Sequence, residues 1–146
     1  MPNWCYNKLT ITGPEAEVQS FKEKAAGPCP WLKPDETEVE VLNFHSLVPV
    51  PDEVLKAGYE AAGYDWEREN WGCKWGADEP QILDEGGNCL IYEFYTAWSP
   101  PIEFLEKVAV LWPVLQFVLE YEEPGIGFKG LAKFQGDIHE DHCIDL

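Results

Sequence analysis

The chain opens with alternating side-chain types, the pattern of a β-strand that buries one of its two faces. One face of this first strand, residues 3–12, carries Cys5, Asn7, Leu9 and Ile11. After Gly13 the apolar spacing changes to three and four residues, as in an amphipathic helix. The helix is predicted to begin at Pro14 and to end before Gly27.

Residues 28–80 form an irregular stretch that is punctuated by prolines. Its composition predicts a short strand within 39–48 and a short helix over 52–62. A connection of about 50 residues far exceeds the usual length of 2 to 6. We therefore expect an ordered insert after the first helix.

Regular patterns return in the second half of the chain. Strands are predicted at 81–84, 89–98, 114–122 and 127–135, and a helix with its apolar stripe at 102–112. The resulting order, β-α-insert-β-β-α-β with one extra C-terminal strand, predicts a single α+β domain over 1–146. The fold class is ferredoxin-like (split βαβ): an antiparallel sheet with two helices on one face. The insert is expected at an edge of the sheet or across its open face.

Charge narrows the range of partners. The chain has a formal net charge of −17, yet 45% of its residues are hydrophobic, so it is expected to fold. A field of this sign repels phosphate backbones and attracts basic surfaces. The negative charge therefore disfavours direct nucleic-acid binding and favours a protein partner with a basic surface. Alternatively, the acidic residues serve only to keep the protein soluble.

The same sequence indicates a cytoplasmic protein. No apolar run approaches the roughly 20 residues of a membrane span, and the N-terminus lacks the pattern of a secretion signal. The five cysteines are scattered and form no CxxC pair, which predicts reduced, mostly buried thiols.

The block Trp71-Gly72-Cys73-Lys74-Trp75 is the densest local feature. Two indoles with a cation between them can serve as anchors at a binding interface. Alternatively, the indoles pack the insert onto the sheet, with Lys74 stacked between them.

Two further clusters invite a functional interpretation. Aromatic residues at Trp4, Tyr6 and Tyr95, with Ile91 and Glu93, can share the open face of the sheet, where RNA-recognition folds stack bases. The chain lacks the Lys/Arg-Gly-aromatic run of those folds, so these side chains are expected beneath the insert.

The only cluster of metal-ligand types is near the C-terminus, at His139, His142 and Cys143. A solvated polar tail is the alternative, and no metal or cofactor is predicted. Nucleotide-binding glycine motifs and a GxSxG nucleophile motif are absent from the sequence, which leaves catalysis open but disfavoured.

Five blocks carry a resemblance that spans nearly the whole chain. They are Met1-Pro2-Asn3-Trp4-Cys5-x-Asn7-x-Leu9-x-Ile11-x-Gly13, Val48-Pro49-Val50-Pro51, Trp71-Gly72-Cys73-Lys74-Trp75, Thr96-Ala97-Trp98-Ser99-Pro100-Pro101 and Glu123-Pro124-Gly125-x-Gly127-Phe128-x-Gly130. In these blocks the chain resembles the YubB-type ferredoxin-like proteins of plasmids and phages. The resemblance implies the same fold and a mobile-element origin, and it implies no activity, cofactor or catalytic residue.

Three classes of function follow. The first is a protein-binding module that acts through the Trp-rich insert, in one version as an acidic mimic of nucleic acid. The second is a small-molecule binder or small enzyme with a pocket between insert and sheet, lined by Asn7, Lys74, Thr96 and Trp98. The third is a structural or regulatory domain that dimerises through a sheet edge.

Overall fold

A computed structural model describes residues 2–31 and 39–146. Met1 of the first resemblance block and residues 32–38 of the insert lie outside them. The strands are β1 (Trp4–Thr12), β2 (Gly27–Pro28), β3 (Val39–Glu40), β4 (Asp78–Gly86), β5 (Cys89–Ala97), β6 (Gln116–Glu123), β7 (Phe128–Gln135) and β8 (Ile138–Asp145). The helices are α1 (Glu15–Ala25), α2 (Phe44–Leu47), α3 (Asp52–Ala57), α4 (Tyr64–Asn70) and α5 (Ile102–Leu111), with a π-helical turn at Tyr59–Gly63.

Six strands form one antiparallel sheet in the order β4-β5-β1-β6-β7-β8, and β2 pairs with β3 in a small second sheet. In the centre, Leu9 of β1 lies opposite Tyr92 of β5 on one side and Leu119 of β6 on the other. The predicted α+β class and the antiparallel sheet are confirmed. The prediction of one extra strand was incomplete, because both β7 and β8 follow the fourth predicted strand.

One face of the sheet is covered by helices and by the insert. Phe21 of α1 packs on Phe117 of β6, with ring centroids 5.5 Å apart. Phe44 of α2 lies against Phe94 of β5 and stacks on Phe104 of α5 at 3.8 Å. The insert therefore adds to the layer that α1 and α5 form, because its aromatic side chains are buried best against that apolar face.

Among the described residues the other face is open except at Trp75, so the expectation that its aromatic residues lie beneath the insert was wrong for Tyr6 and Tyr95. Tyr6 and Tyr95 are half-buried neighbours there, 5.7 Å apart, and the Tyr6 hydroxyl donates a hydrogen bond to Glu93 at 2.8 Å. Burial and then the Glu93 carboxylate raise the pKa of Tyr6 to about 12. The insert reaches this side at Trp75, whose ring lies 6.3 Å from that of Trp4.

Three local predictions need correction. The stretch 39–48 holds the two-residue β3 and then α2, whose N-cap Asn43 accepts a hydrogen bond from the Ser46 amide. The predicted helix over 52–62 is interrupted at Gly58, where φ is +98°. The polar tail is the strand β8, which pairs with β7 along its whole length. Periodicity missed β8 because both of its faces are exposed and polar residues occur on each.

Candidate functional site: the tryptophan surface

The Trp71–Trp75 block is divided between the core and the surface. Trp71 is only 2% exposed, and its indole N–H donates a hydrogen bond to the Val48 carbonyl at 3.1 Å. Phe44 and Trp66 both contact its ring edge to face, at 5.6 and 5.5 Å. Trp71 thus has the role that the packing alternative assigned to it, and it is not accessible to a partner.

Trp75 has the opposite environment, with 48% of its side chain exposed. Its φ of +71° lies in the left-handed region, which costs a non-glycine residue about 1–2 kcal/mol. The amino group of Lys74 lies 4.1 Å from the centre of the Trp75 ring. Lys74 therefore stacks on one indole and does not lie between Trp71 and Trp75.

Trp98 repeats this conformation at the end of β5. It is 43% exposed and has a φ of +70°, and its amide donates a hydrogen bond to the Asn3 carbonyl at 2.8 Å. We call Trp4, Lys74, Trp75 and Trp98 the tryptophan surface. Strained backbone that persists at exposed side chains is a feature of binding sites.

A buried carboxylate holds Trp75 in place. Glu67 is fully buried; its Oε1 accepts a hydrogen bond from the Trp75 amide at 2.6 Å, and its Oε2 accepts one from the Trp31 indole at 2.8 Å. Burial raises the pKa of Glu67, and the two N–H donors oppose that rise. Within the described residues Glu67 forms no ion pair. Nothing in its sequence surroundings distinguished Glu67 from the other acidic residues.

Asn7 and Thr96, which were predicted to line a pocket, form a buried polar network instead. The Asn7 side-chain amide donates to the Thr96 hydroxyl at 2.9 Å, and that hydroxyl donates to the Ser99 carbonyl at 2.6 Å. The Ser99 hydroxyl donates to the Gly72 carbonyl, also at 2.6 Å. The network joins β1 and β5 to the Trp71–Trp75 block, so it positions the tryptophan surface without being part of it.

Of the four residues predicted to line a pocket between insert and sheet, Lys74 and Trp98 line a common cleft. This cleft lies between the insert and the start of α5, with a volume of about 480 Å³. Arg68 also lines it and lies over the Tyr64 ring at 5.5 Å. Among the described residues, neither Arg68 nor Lys74 forms an ion pair, although Glu103 also lines the cleft.

The candidate metal ligands are separated by the two faces of β8. His142 is directed to the open face with its neighbour Glu140, 3.1 Å away, whereas His139 stacks on Phe134 and approaches Glu106 at 3.3 Å. Cys143 lies on the same face as His139, four residues along the strand. No group of three or more metal-ligand side chains occurs within the residues that the structure describes.

Cys5, Cys73, Cys89 and Cys143 are free thiols, of which Cys5 and Cys73 are buried, Cys89 is half-buried and Cys143 is exposed. Burial raises the pKa of Cys5 to about 12, and burial raises that of Cys73 as well. Both buried thiols therefore stay protonated at neutral pH and are poor nucleophiles. In the described part of the chain no helix is both long enough and apolar enough to cross a membrane.

Comparison with known proteins identifies the family. Residues 70–145, more than half of the chain, match the family model described as the ferredoxin-like domain in Api92-like protein. The chain belongs to this family. The matched segment begins just before Trp71 and includes β4 to β8, so most of the tryptophan surface lies within the Api92-like domain.

A solved structure extends the likeness to the whole chain. The crystal structure of protein Api92 from Yersinia pseudotuberculosis matches with a TM-score of 0.77, covering 100% of this chain and 98% of that one, at 11% sequence identity. A match at such low identity shows only that the fold is shared. Together with the family model, this match confirms the predicted ferredoxin-like class. No curated protein sequence matches the chain.

Proposed function

We propose that this Api92-like protein is a protein-binding module whose contact surface is the tryptophan surface. The observation that carries the proposal is the conformation of Trp75 and Trp98, two indoles that are nearly half exposed and each held at a φ near +70°. A chain gains no stability from exposing two large aromatic side chains on strained backbone, and Trp is among the residues that dominate binding energy at interfaces.

The partner in this proposal is a protein with a basic surface. The formal net charge of −17 speeds the encounter with such a surface, and arginine side chains can stack on the exposed indole faces. Lys74 already occupies one face of Trp75 in this way. A guanidinium of the partner can take the same position.

The wider setting belongs to the same proposal. The YubB-type resemblance supports an accessory protein of a plasmid or phage, with the split βαβ unit as its frame. Free thiols at Cys5, Cys73, Cys89 and Cys143 support a cytoplasmic location. An acidic mimic of nucleic acid is the narrower version, in which the basic partner is a protein that binds DNA or RNA.

The test is affinity capture from a bacterial lysate with matched variants as bait. Wild type is compared with Trp75→Ala/Trp98→Ala and with Val110→Ala/Leu111→Ala, which removes two exposed apolar side chains near the end of α5. We expect wild type and the α5 variant to retain one basic protein and the tryptophan variant to bind it at least about 30-fold more weakly, as for an interface hot spot. Equal recovery by the tryptophan variant, or none by wild type, would refute the proposal.

Competition by duplex DNA tests the mimic version on the same captured partner. Loss of the partner when DNA is added supports mimicry, because DNA and the acidic surface then compete for one site. If the partner stays bound when DNA is added, the mimic version is rejected and the protein-binding proposal is unaffected.

A small-molecule site is the second candidate, and the cleft beside the tryptophan surface favours it. Arg68 and Lys74 face a volume of about 480 Å³ without a carboxylate partner among the described residues. Two cations beside an indole suit an anionic aromatic compound. Benzoate and phenyl phosphate are suitable probes: a rise in melting temperature that disappears in Arg68→Ala/Lys74→Ala supports this function, and no rise argues against it.

A further inference from the structure

The two edge strands of the sheet differ in how well they are protected from pairing with another strand. β4 contains Pro80, holds Glu79 at a φ of +48° and shifts its register with β5 twice. Proline and bulges of this kind block the addition of a further strand. β8 is protected by none of these devices, because its register with β7 is unbroken from Ile138 to Asp145.

The side chains of β8 on the open face have a self-complementary order. Cross-strand pairing with β7 directs Ile138, Glu140, His142 and Ile144 to that face. Ile138 is 76% exposed and Ile144 is 58% exposed, and they flank the Glu140–His142 pair. Reversed, the order Ile-Glu-His-Ile places each isoleucine opposite an isoleucine and each glutamate opposite a histidine.

We propose that β8 pairs edge to edge with β8 of a second copy of this chain, antiparallel and centred on Asp141. A two-fold axis perpendicular to the sheet then keeps the open faces on one side and joins two six-stranded sheets into one. Ile138 lies opposite Ile144 of the second copy, and Glu140 lies opposite its His142. These apolar and opposite-charge pairs are the ones that stabilise neighbouring antiparallel strands.

Pairing β8 with its copy in either neighbouring register gives less favourable side-chain pairs. Centring the pair on Glu140 would place the two Glu140 side chains opposite each other, and centring it on His142 would place Glu140 opposite Ile144. In the register centred on Asp141 the paired segment is 138–144, and within it the one like-charge pair is Asp141 with its own copy. The Asp141 carboxylate is drawn toward β6 of its own chain, because its Oδ1 accepts a hydrogen bond from the Tyr121 hydroxyl at 2.6 Å. Asp145 faces Asp137, which lies in the turn before β8.

The association is expected to be weak and concentration-dependent. One edge pair of seven residues, 138–144, buries less than the roughly 1,200 Å² of a standard interface, which suggests a dissociation constant in the micromolar range or above. The proposal does not rest on the tryptophan surface, so each can fail without the other.

Charge substitutions on β8 test the interface and its register by sedimentation velocity from about 10 μM to 1 mM, the range in which an interface this small associates. Ile138→Lys should abolish the dimer, since each lysine faces an isoleucine. Ile138→Lys/Ile144→Glu should restore it, because each lysine then faces a glutamate of the second copy. Leu83→Lys is the matched control, at a residue of β4 that is 48% exposed, and should leave the dimer unchanged. A wild type that stays monomeric over this range overturns the proposal.

Disulfide trapping fixes the register independently. Centred pairing places residue 139 of one copy opposite Cys143 of the other, so His139→Cys should give a covalent dimer when copper–phenanthroline is supplied as the oxidant. An intrachain bond is excluded, since four residues of strand span about 13 Å and a disulfide needs Cα atoms within about 7 Å. Glu140→Cys presents its thiol on the other face and is the control. Equal dimer yield from both variants, or none from His139→Cys, would contradict the register.

Discussion

The core of the insert and the tryptophan surface use the same residue type for opposite purposes. Trp71 is 2% exposed, whereas Trp75, four residues later, is 48% exposed. The buried Trp71 indole packs in the core and donates a hydrogen bond to the Val48 carbonyl. Trp75 has left-handed backbone, and its amide donates a hydrogen bond to Glu67. The difference teaches that a Trp-rich block does not reveal which of its members are exposed, whereas the backbone around each one does.

The largest effect is expected on the buried side of this comparison. Trp71→Ala should lower the free energy of unfolding by about 3–5 kcal/mol, because it leaves a cavity and removes the donor to the Val48 carbonyl. Urea denaturation followed by circular dichroism gives the value. Trp75→Ala is the control and should cost far less; equal losses for the two variants would end the distinction between core and surface.

The polar network beneath the tryptophan surface should be the next most sensitive part. Asn7→Ala removes the donor to Thr96 in a fully buried place, at a cost of about 1–3 kcal/mol. Thr10→Ala on the half-buried open face of the same strand is a matched control. If both variants unfold at the same urea concentration, the network contributes nothing to stability.

The left-handed backbone at Trp98 predicts that glycine stabilises the fold more than alanine does, the reverse of the usual order. At Trp98, glycine should be more stable than alanine by about 1 kcal/mol, since only glycine occupies a φ of +70° without steric cost. Comparison of Trp98→Gly with Trp98→Ala by thermal unfolding cancels the loss of the indole. A more stable alanine variant would show that the left-handed backbone is not maintained there.

The smallest effect expected is a pH dependence that links the two regions through Glu67. The raised pKa means that the folded state favours the protonated Glu67 carboxyl. The protonated carboxyl therefore contributes its full stabilisation of the fold at pH values below 4.5, the ordinary pKa of a glutamate. The contribution is then lost as the pH rises through the folded-state pKa. Wild-type stability measured relative to Glu67→Gln should therefore fall as the pH rises above 4.5. A flat or rising difference would contradict the burial of this charge.

The strands next to the centre of the sheet were predictable from sequence because each buries one face. β1, β5 and β6 were placed within a few residues, and Asn7 was assigned to the correct face. β8 was missed because it gains its order from hydrogen bonds to β7 and buries neither face, so apolar and polar residues do not alternate along it. The roles of Trp75 and Trp98 depend on φ angles, and no rule of residue type places tryptophan at a positive φ.

The bond from the Trp75 amide to Glu67 also has a kinetic consequence. An amide that donates to a fully buried carboxylate can exchange its hydrogen with solvent only when that carboxylate becomes exposed. Trp75 therefore combines an indole that meets solvent freely with a backbone hydrogen that should exchange only when the insert opens around Glu67. Its lifetime in heavy water would report how often the insert opens, from a residue that also lies in the proposed contact surface.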